Sequence, residues 1–189
     1  GIAMGGMGAV FKVLHRRLGK HFALKLIHAT MANDERMKKF FFREAQVLSR
    51  LDHPGIVEVT DFGRDPVHGA FLVMELLEGG TLYQVLRHEH RLKTQRSLTI
   101  ALQMADALRY MHAHDLVHCD IKPENVFLAR VRCGHRSYLV SKLIDFGLTR
   151  SRVRGAQLDS SEIAGTPQYA APEQLLGRII RATSRPGEL

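Results

Sequence analysis

The sequence predicts an α+β fold in two parts, a small first part made of antiparallel strands with one long helix and a second part that is mainly helical. Up to residue 77, alternating and short apolar runs indicate strands, and a single stretch has helical character. Beyond Gly79 and Gly80 the apolar residues recur at helical spacing. We therefore divide the chain into domains 1–77 and 78–189. A hydrophobic content of 45% is enough for a core.

The first part begins with a glycine-rich segment, GIAMGGMGAV, which runs into two strands joined through Gly19. Residues 33–51 predict a helix of roughly five turns, with Asn33 as the N-cap and a stop at the HPG that follows. Two β-rich runs, IVEVTDFG and GAFLVMELL, come next and are joined by a polar loop that contains Pro66 and Gly69.

The second part begins with a short helix, capped by Thr81 and ending near Arg87, and a longer helix that starts at Thr94. Two small strands, within VHCDIKPENVFLA and YLVSKLIDFGL, follow it and are separated by a basic loop. The Ser, Gly and Pro content of residues 149–170 predicts a long loop. The residues predicted to be buried on one face of the longer helix are Leu98, Ala101, Leu102, Ala105, Leu108 and Met111.

Charge and cysteine content narrow the class of protein. The formal net charge is +8, but the basic residues are spread along the chain without interleaved aromatic residues, which favours a solvated basic surface over a nucleic-acid partner. Cys119 and Cys133 lack the spacing of a metal site and predict free thiols in a reducing cytosol. There is no long apolar run and no signal-peptide pattern, so we predict a soluble cytoplasmic protein without a membrane segment.

Several residues are candidates for chemistry, and each also has an ordinary structural explanation. The glycines near the start could bring backbone N–H groups close to phosphates, or could simply form a turn. Lys25 lies in the apolar strand ALKLI, where an ammonium group needs an acidic partner or a ligand. Glu44 could be that partner, or a solvated helix residue.

The stretch LVHCDIKPENVFL places Asp120, Lys122 and Asn125 at alternate or nearby positions around Pro123. All three side chains could point into one cleft, although Asp and Asn also favour turns because they bond their own backbone. Asp145 follows an apolar strand in the DFG sequence, where it could bind a metal ion or belong to an ordinary turn.

The order of these candidates along the chain is more specific than any one of them. A glycine loop, a strand Lys, a helix Glu, a loop with Asp and Asn, and then DFG and APE form the set that is described for protein kinases. Over nearly all its length the chain resembles the eukaryotic-like Ser/Thr protein kinases of bacteria. The resemblance implies a two-lobed fold and transfer of the γ-phosphate of Mg-ATP to Ser or Thr hydroxyls of protein substrates.

The resemblance also implies roles for individual residues. Asp120 would accept the proton of the substrate hydroxyl, Lys122 would steady the transferring phosphate, and Thr166 would support the catalytic loop. Lys25 would hold phosphate oxygens while paired with Glu44, and Asn125 and Asp145 would bind Mg²⁺. The implied nucleotide-binding residues are Ala3, Gly5, Gly6, Gly8, Val10, Ala23, Lys25, Met74, Glu75, Leu77, Asn125 and Asp145.

The chain departs from the family pattern in four places. Ala3 replaces the first glycine, and Cys119 replaces the arginine that would pair with an activation-loop phosphate, so we expect constitutive or partner-driven control. The basic stretch ARVRCGHRSY predicts an enlarged hairpin loop. Both ends look clipped and the later helices of the second lobe look absent, which predicts exposed apolar faces. A catalytically inactive remnant or a nucleotide-binding interaction module is therefore the alternative function.

Overall fold

The computed structural model describes residues 1, 3–5, 8–27, 41–42, 45–145, 150–151 and 166–175. The chain forms two compact units, Gly1–Glu78 and Gly79–Leu189. Within the described residues, no helix combines the length and the apolar composition that a membrane span needs.

The first unit contains a five-stranded sheet in which all neighbouring strands are antiparallel. The spatial order of the strands is β1-β2-β3-β5-β4. Their bounds are Ala3–Gly5 for β1, Gly8–His15 for β2, Lys20–Ile27 for β3, Val59–Asp65 for β4 and Gly69–Glu75 for β5. The prediction of an antiparallel sheet in an α+β fold is confirmed.

The period of two in β5 explains which side of the sheet is buried. Ala70, Leu72 and Met74 are buried while the residues between them are only partly covered. Residues 41–42 and 45–48 are helical, and Ala45 and Leu48 are buried. Residues 49–51 are described and are not helical, so the helix ends three residues earlier than predicted. The other residues of the predicted helix, 33–40, 43 and Glu44, lie outside the described residues.

The second unit combines helices with short sheets. Its elements in chain order are β6 (Gly79–Thr81), α1 (Leu82–Glu89), α2 (Thr94–Ala113), β7 (Leu116–Val117), a 3₁₀ helix (Pro123–Asn125), β8 (Val126–Cys133), β9 (Arg136–Leu143), β10 (Arg150–Ser151) and α3 (Pro172–Leu175). Strands β6, β8 and β9 form one antiparallel sheet, and β7 pairs with β10.

Local residues explain where this unit begins. The Gly79 φ of 142° suits glycine, and a Cβ at that position would collide with the carbonyl oxygen of Leu128, so the β6–β8 pairing requires glycine there. Thr81 caps α1, as predicted, by accepting a hydrogen bond from the Gln84 N–H at 3.2 Å. The Gln84 side chain accepts in return from the Thr81 N–H at 2.9 Å, which completes a capping box.

The predicted buried face of α2 is mostly wrong. Leu98 and Leu102 are 59% and 72% exposed, Ala101 and Ala105 are also exposed, and only Met111 is fully buried. A second apolar stripe with equally good helical spacing faces β7 and β9 instead. Its members are Ile100, Met104, Ala107 and Met111. Periodicity alone could not choose between two stripes that share one residue.

The predicted basic loop after β8 is also wrong. Strands β8 and β9 continue through that stretch and pair from Val126↔Leu143 to Cys133↔Arg136. Only Gly134 and His135 connect them, and Gly134 has a φ of 59° at the first central position of the turn. A glycine with positive φ there matches the right-handed twist of a two-residue hairpin. The charged residues therefore extend the two strands of the hairpin, where we had expected an enlarged hairpin loop.

Candidate active site

The carboxylate of Asp120 is the centre of a polar cluster in the second unit. Its Oδ1 accepts hydrogen bonds from the N–H and the hydroxyl of Thr166, at 3.1 and 3.0 Å. Its Oδ2 accepts from Asn125 Nδ2 at 2.9 Å and from Lys122 Nζ at 2.8 Å. A carboxylate has about four lone-pair sites, so all the acceptor capacity of Asp120 is in use.

The 3₁₀ helix positions three of these side chains. Pro123 begins it with the fixed φ that a helix start needs, and the Asn125 N–H donates to the Lys122 carbonyl at 2.9 Å. Asn125 is buried and its Nδ2 also donates to the Asp120 carbonyl at 2.8 Å. The backbone and the side chain of Asn125 therefore both bond to other residues of the same short loop.

Lys122 connects this loop to a distant part of the chain. Its ammonium group donates to Thr166 Oγ1 at 2.7 Å as well as to Asp120. The side chains of Lys122 and Asp120 are only 21% and 11% exposed, so their ion pair is poorly screened by solvent. The structure thus gathers Asp120, Lys122, Asn125 and Thr166 in one cluster.

The cluster keeps Asp120 ionised. Burial raises the pKa of its carboxyl, but hydrogen bonds from Lys122, Thr166 and Asn125, together with the Lys122 charge, outweigh burial and lower this pKa below the ordinary value of 3.8. At neutral pH Asp120 is therefore a carboxylate that can accept further hydrogen bonds only if a present donor leaves.

His118 lies behind the cluster and is almost completely buried. Its Nδ1 accepts a hydrogen bond from the Asp120 N–H at 3.4 Å. Burial lowers the pKa of His118 to about 4, although the nearby charges of Asp120 and Asp145 act in the opposite direction. A neutral imidazole thus supports the backbone at Asp120.

Asp145 lies two residues beyond the end of β9 and has a φ of 61°, a conformation that Asp tolerates better than most residues. The preceding residue is held against the 3₁₀ helix, because the Ile144 N–H donates to the Asn125 carbonyl at 2.9 Å. Both Nδ2 bonds of Asn125 go to Asp120, which identifies Oδ1 as its remaining polar atom. Carboxylate and amide oxygens are ligands that suit Mg²⁺, so these two residues fit the predicted metal site.

In the first unit, strand register aligns several predicted nucleotide-binding residues. Ala3 pairs with Val10, and Val10 pairs with Lys25 across the next strand pair. In a neighbouring row, Ala23 pairs with Met74. The sheet therefore presents two rows of these candidates on adjoining strands.

Two further candidates for nucleotide binding, Gly8 and Glu75, make backbone contacts within the first unit. Gly8 has a φ of 153°, and a Cβ there would collide with the carbonyl oxygen of Leu26, so strand pairing alone explains its glycine. The Glu75 N–H donates to the Glu58 carbonyl at 3.0 Å, and the Glu75 carboxylate accepts from the Glu58 N–H at 2.9 Å. Two other candidates, Gly6 and Glu44, lie outside the described residues.

Gln174 is a residue that sequence reasoning missed. Its Oε1 accepts from the Ala171 N–H at 3.0 Å and its Nε2 donates to the Cys119 carbonyl at 2.7 Å. The contact joins residues 55 positions apart, so no local pattern pointed to it. Cys119 itself is buried and has a φ of 65°, which is uncommon outside glycine. Gln174 therefore fixes the carbonyl of the residue directly before Asp120.

Comparison with known proteins agrees with this geometry. The protein kinase domain family matches residues 2–185. The serine/threonine-protein kinase pkn2 of Myxococcus xanthus is 37% identical over 186 residues, covering 97% of this chain and 22% of that protein. PknA of Mycobacterium tuberculosis is 36% identical over 180 residues, covering 93% of this chain and 40% of PknA. A probable serine/threonine-protein kinase of Streptomyces coelicolor is 35% identical over 188 residues, covering 97% and 27% respectively.

The chain belongs to the protein kinase domain family. The predicted resemblance to bacterial Ser/Thr protein kinases is confirmed. The chain spans between about a fifth and two fifths of the length of these curated relatives. Membership of the family implies ATP as a substrate, usually with Mg²⁺.

Proposed function

We propose that the chain carries the catalytic residues of an ATP-dependent Ser/Thr protein kinase, with units Gly1–Glu78 and Gly79–Leu189 as the small lobe and part of the large lobe. The observation that carries the proposal is the cluster in which Lys122, Asn125 and Thr166 all donate to the Asp120 carboxylate. The substrate is a protein with a Ser or Thr acceptor, and no nucleic acid takes part. The cytoplasmic location stays a prediction.

Asp120 orients the acceptor hydroxyl in this proposal. Since its four lone-pair sites are filled, a substrate hydroxyl must replace one donor. The Thr166 hydroxyl is the donor that can leave at least cost, because rotation about its C–O bond redirects the proton while the Thr166 N–H stays in place. The low pKa of Asp120 means that its carboxylate takes the hydroxyl proton late, when the oxygen is already bonding to phosphorus.

Lys122 supplies positive charge beside the reacting atoms. Its ammonium group has three N–H donors, and two of them meet Asp120 and Thr166. The third N–H remains for an oxygen of the transferring phosphate, where a point charge stabilises the charge that develops during transfer. This placement supports the choice of a Ser/Thr acceptor that the lysine implies.

Asn125 and Asp145 would hold Mg²⁺, which neutralises phosphate charge when it is bound. In the first unit, Lys25 would contact phosphate oxygens with Glu44 as its partner. Val10, Ala23 and Met74 would provide apolar surface for adenine, near backbone groups of Glu75 and Leu77. Ala3, Gly5, Gly6 and Gly8 would border the phosphates.

The test is transfer of radiolabelled γ-phosphate from ATP to a peptide pool with Ser and Thr acceptors, compared with a pool in which Tyr replaces them. We expect transfer to the first pool only. Asp120→Asn should lower the rate by about 10²–10⁴-fold, because it removes the base and its charge. The matched control is Asp106→Asn, which removes an exposed carboxylate paired with Arg109.

A wild-type chain that folds cooperatively but transfers no phosphate would contradict the proposal. Equal rates for Asp120→Asn and Asp106→Asn would contradict the role given to Asp120.

A further inference from the structure

The second unit has a groove between the N-terminal half of α2 and the β8–β9 hairpin. The cavity measures about 270 Å³. Ile100, Leu128 and Leu139 give it an apolar lining, and Lys93 and Arg96 add cationic side chains. We call this cavity the hairpin groove.

The hairpin beside the groove is open to solvent over its outer half. Every residue from 130 to 139 is exposed. Among them Leu139, which has a large apolar side chain, is 51% exposed. Val131 and Tyr138, which are 40% and 49% exposed, pair with each other on the opposite face of the hairpin. Leu139 therefore leaves apolar surface uncovered beside the groove.

The hairpin is strongly basic. Strands β8 and β9 contain Arg130, Arg132, Arg136 and Lys142 and no acidic residue. Among the described residues, none makes an ion pair with any of the three arginines. The charges of these three arginines therefore have no acidic partner in the described part of the chain.

Strand register puts charge and apolar surface on the same face. Arg130 stands directly opposite Leu139, and the neighbouring pair on that face is Leu128 with Ser141. Leu128, Leu139 and Ser141 all line the hairpin groove. Arg130 is therefore placed beside the apolar lining and not on the reverse of the hairpin.

The two cationic side chains that line the groove differ in whether an acidic side chain balances their charge. Arg96 makes two hydrogen bonds to the Glu89 carboxylate, at 2.8 and 2.9 Å, so its charge is already balanced. Lys93 is exposed and makes no ion pair with any other described residue. Lys93 and Arg130 thus remain as the charges that a ligand would meet.

We propose that the hairpin groove binds an acidic segment of a partner protein. Carboxylates of the segment pair with Arg130 and Lys93, and one of its large apolar side chains covers Leu139 and fills the cavity. Nucleic acid is a poorer complement, because phosphates match the arginines but provide no aliphatic group for the lining. The interaction lies outside the cluster around Asp120 and does not depend on phosphotransfer.

The test measures fluorescence anisotropy of labelled peptide pools with the full 189-residue chain. The probe pool alternates Asp or Glu with Leu, Ile or Phe. One comparison pool replaces the apolar positions with Ser, and another replaces the acidic positions with Lys. We expect the probe pool to bind at least about tenfold more tightly than either comparison pool, since it alone matches both charge and apolar surface.

Substitutions at two exposed residues test whether the peptides bind in the hairpin groove. Leu139→Ser and Arg130→Glu should each weaken binding of the probe pool by about tenfold. The matched controls are Leu18→Ser and Arg17→Glu, both in the exposed turn between β2 and β3, and they should leave the affinity unchanged. Arg132→Glu replaces Arg130→Glu if that variant does not fold.

Three results would overturn the proposal. One is equal binding of the probe pool and the serine pool, which would show attraction by charge alone. Another is an affinity for the probe pool that Leu139→Ser does not change. The third is tighter binding of duplex DNA than of the probe pool, with the same sensitivity to Arg130→Glu, which would identify a polyanion site.

Discussion

The ionisation states of Asp120 and the residues around it depend on the local environment more than on residue type. His118 shows this, because an ordinary histidine titrates near pH 6.5 whereas burial lowers the pKa of His118 to about 4. Asp120 is partly buried, yet its pKa falls because four donors surround its carboxylate. Burial thus keeps His118 neutral, whereas hydrogen bonds and the Lys122 charge keep Asp120 ionised.

The lowered pKa of His118 predicts a pH dependence of stability. The unfolded chain binds a proton at this residue below about pH 6.5, while the folded chain does so only near pH 4, so acidification between these values favours unfolding. We expect a loss on the order of 3 kcal/mol across this window. Asp120 contributes at lower pH, because its stabilisation is lost as pH falls through its folded pKa, below 3.8.

The measurement is urea unfolding of the wild type and of His118→Phe at pH 7 and pH 5. In His118→Phe, the free energy of unfolding should differ much less between pH 7 and pH 5 than it does in the wild type. His21→Phe, at an exposed position in β3, is the control and should behave as the wild type. A difference that persists in His118→Phe would assign the pH dependence to other groups.

Individual elements are held by long-range contacts that sequence periodicity could not predict. Gln174 of α3 tethers the Cys119 carbonyl through one hydrogen bond at 2.7 Å. Under the proposed function, this contact makes Gln174 a positioning residue for the loop that carries Asp120. It acts through the backbone, whereas the arginine that Cys119 replaces would have acted through a phosphate.

Gln174→Glu tests this role. The substitution keeps the size of the side chain but replaces the donor with an oxygen that repels the Cys119 carbonyl. We expect kcat to fall about tenfold while KM for ATP is unchanged, which corresponds to one hydrogen bond. Gln95→Glu makes the same charge change at the exposed start of α2 and should leave kcat as it is.

A second readout for Gln174 needs no activity. In a Cys133→Ser background, Cys119 is the single thiol, and alkylation followed by intact mass should be faster in Gln174→Glu than in the parent. Unchanged alkylation and unchanged kcat together would show that the contact positions nothing.

The exposure of the two apolar stripes of α2 gives another prediction at this scale. Met104→Ala should destabilise the chain by about 2–5 kcal/mol, because Met104 is only 9% exposed. Leu102→Ala, on the same helix but 72% exposed, should change the free energy of unfolding by no more than about 0.5 kcal/mol. Chemical denaturation of both variants decides which stripe is the core, and the reverse order would restore the face predicted from periodicity.

For the whole molecule, the proposed function requires residues from both compact units. Lys25 belongs to the first unit, and Asp145 belongs to the second. Mg-ATP at about 100 times its dissociation constant should raise the free energy of unfolding by roughly 2.7 kcal/mol. Lys25→Met and Asp145→Asn should each abolish most of this gain, because under the proposed function they remove a phosphate contact and a metal ligand.

Thermal unfolding with and without Mg-ATP measures this gain. Lys12→Met, at an exposed position of β2, and Asp106→Asn are the matched controls and should keep it. Stabilisation together with phosphotransfer supports a kinase. Stabilisation without phosphotransfer points to the alternative of a nucleotide-binding module, and a wild type indifferent to Mg-ATP would contradict both.

The sequence by itself determined the family, the antiparallel sheet, the Thr81 cap and the approximate bounds of α1 and α2. These follow from local composition, from period and from the order of short motifs, all of which act over a few residues. It also nominated Asp120, Lys122, Asn125 and Thr166, which the structure brings together. Their roles in phosphotransfer stay proposals.

Only the tertiary structure decided which stripe of α2 is buried, that the basic stretch extends the β8–β9 hairpin, and that Gln174 reaches Cys119. Each depends on contacts between segments far apart in the chain. A helix with two apolar stripes has no local reason to prefer one, and a charged stretch takes strand structure when its neighbour pairs with it through a two-residue turn. The pKa of His118 likewise follows from burial by distant segments, which its own sequence neighbours do not encode.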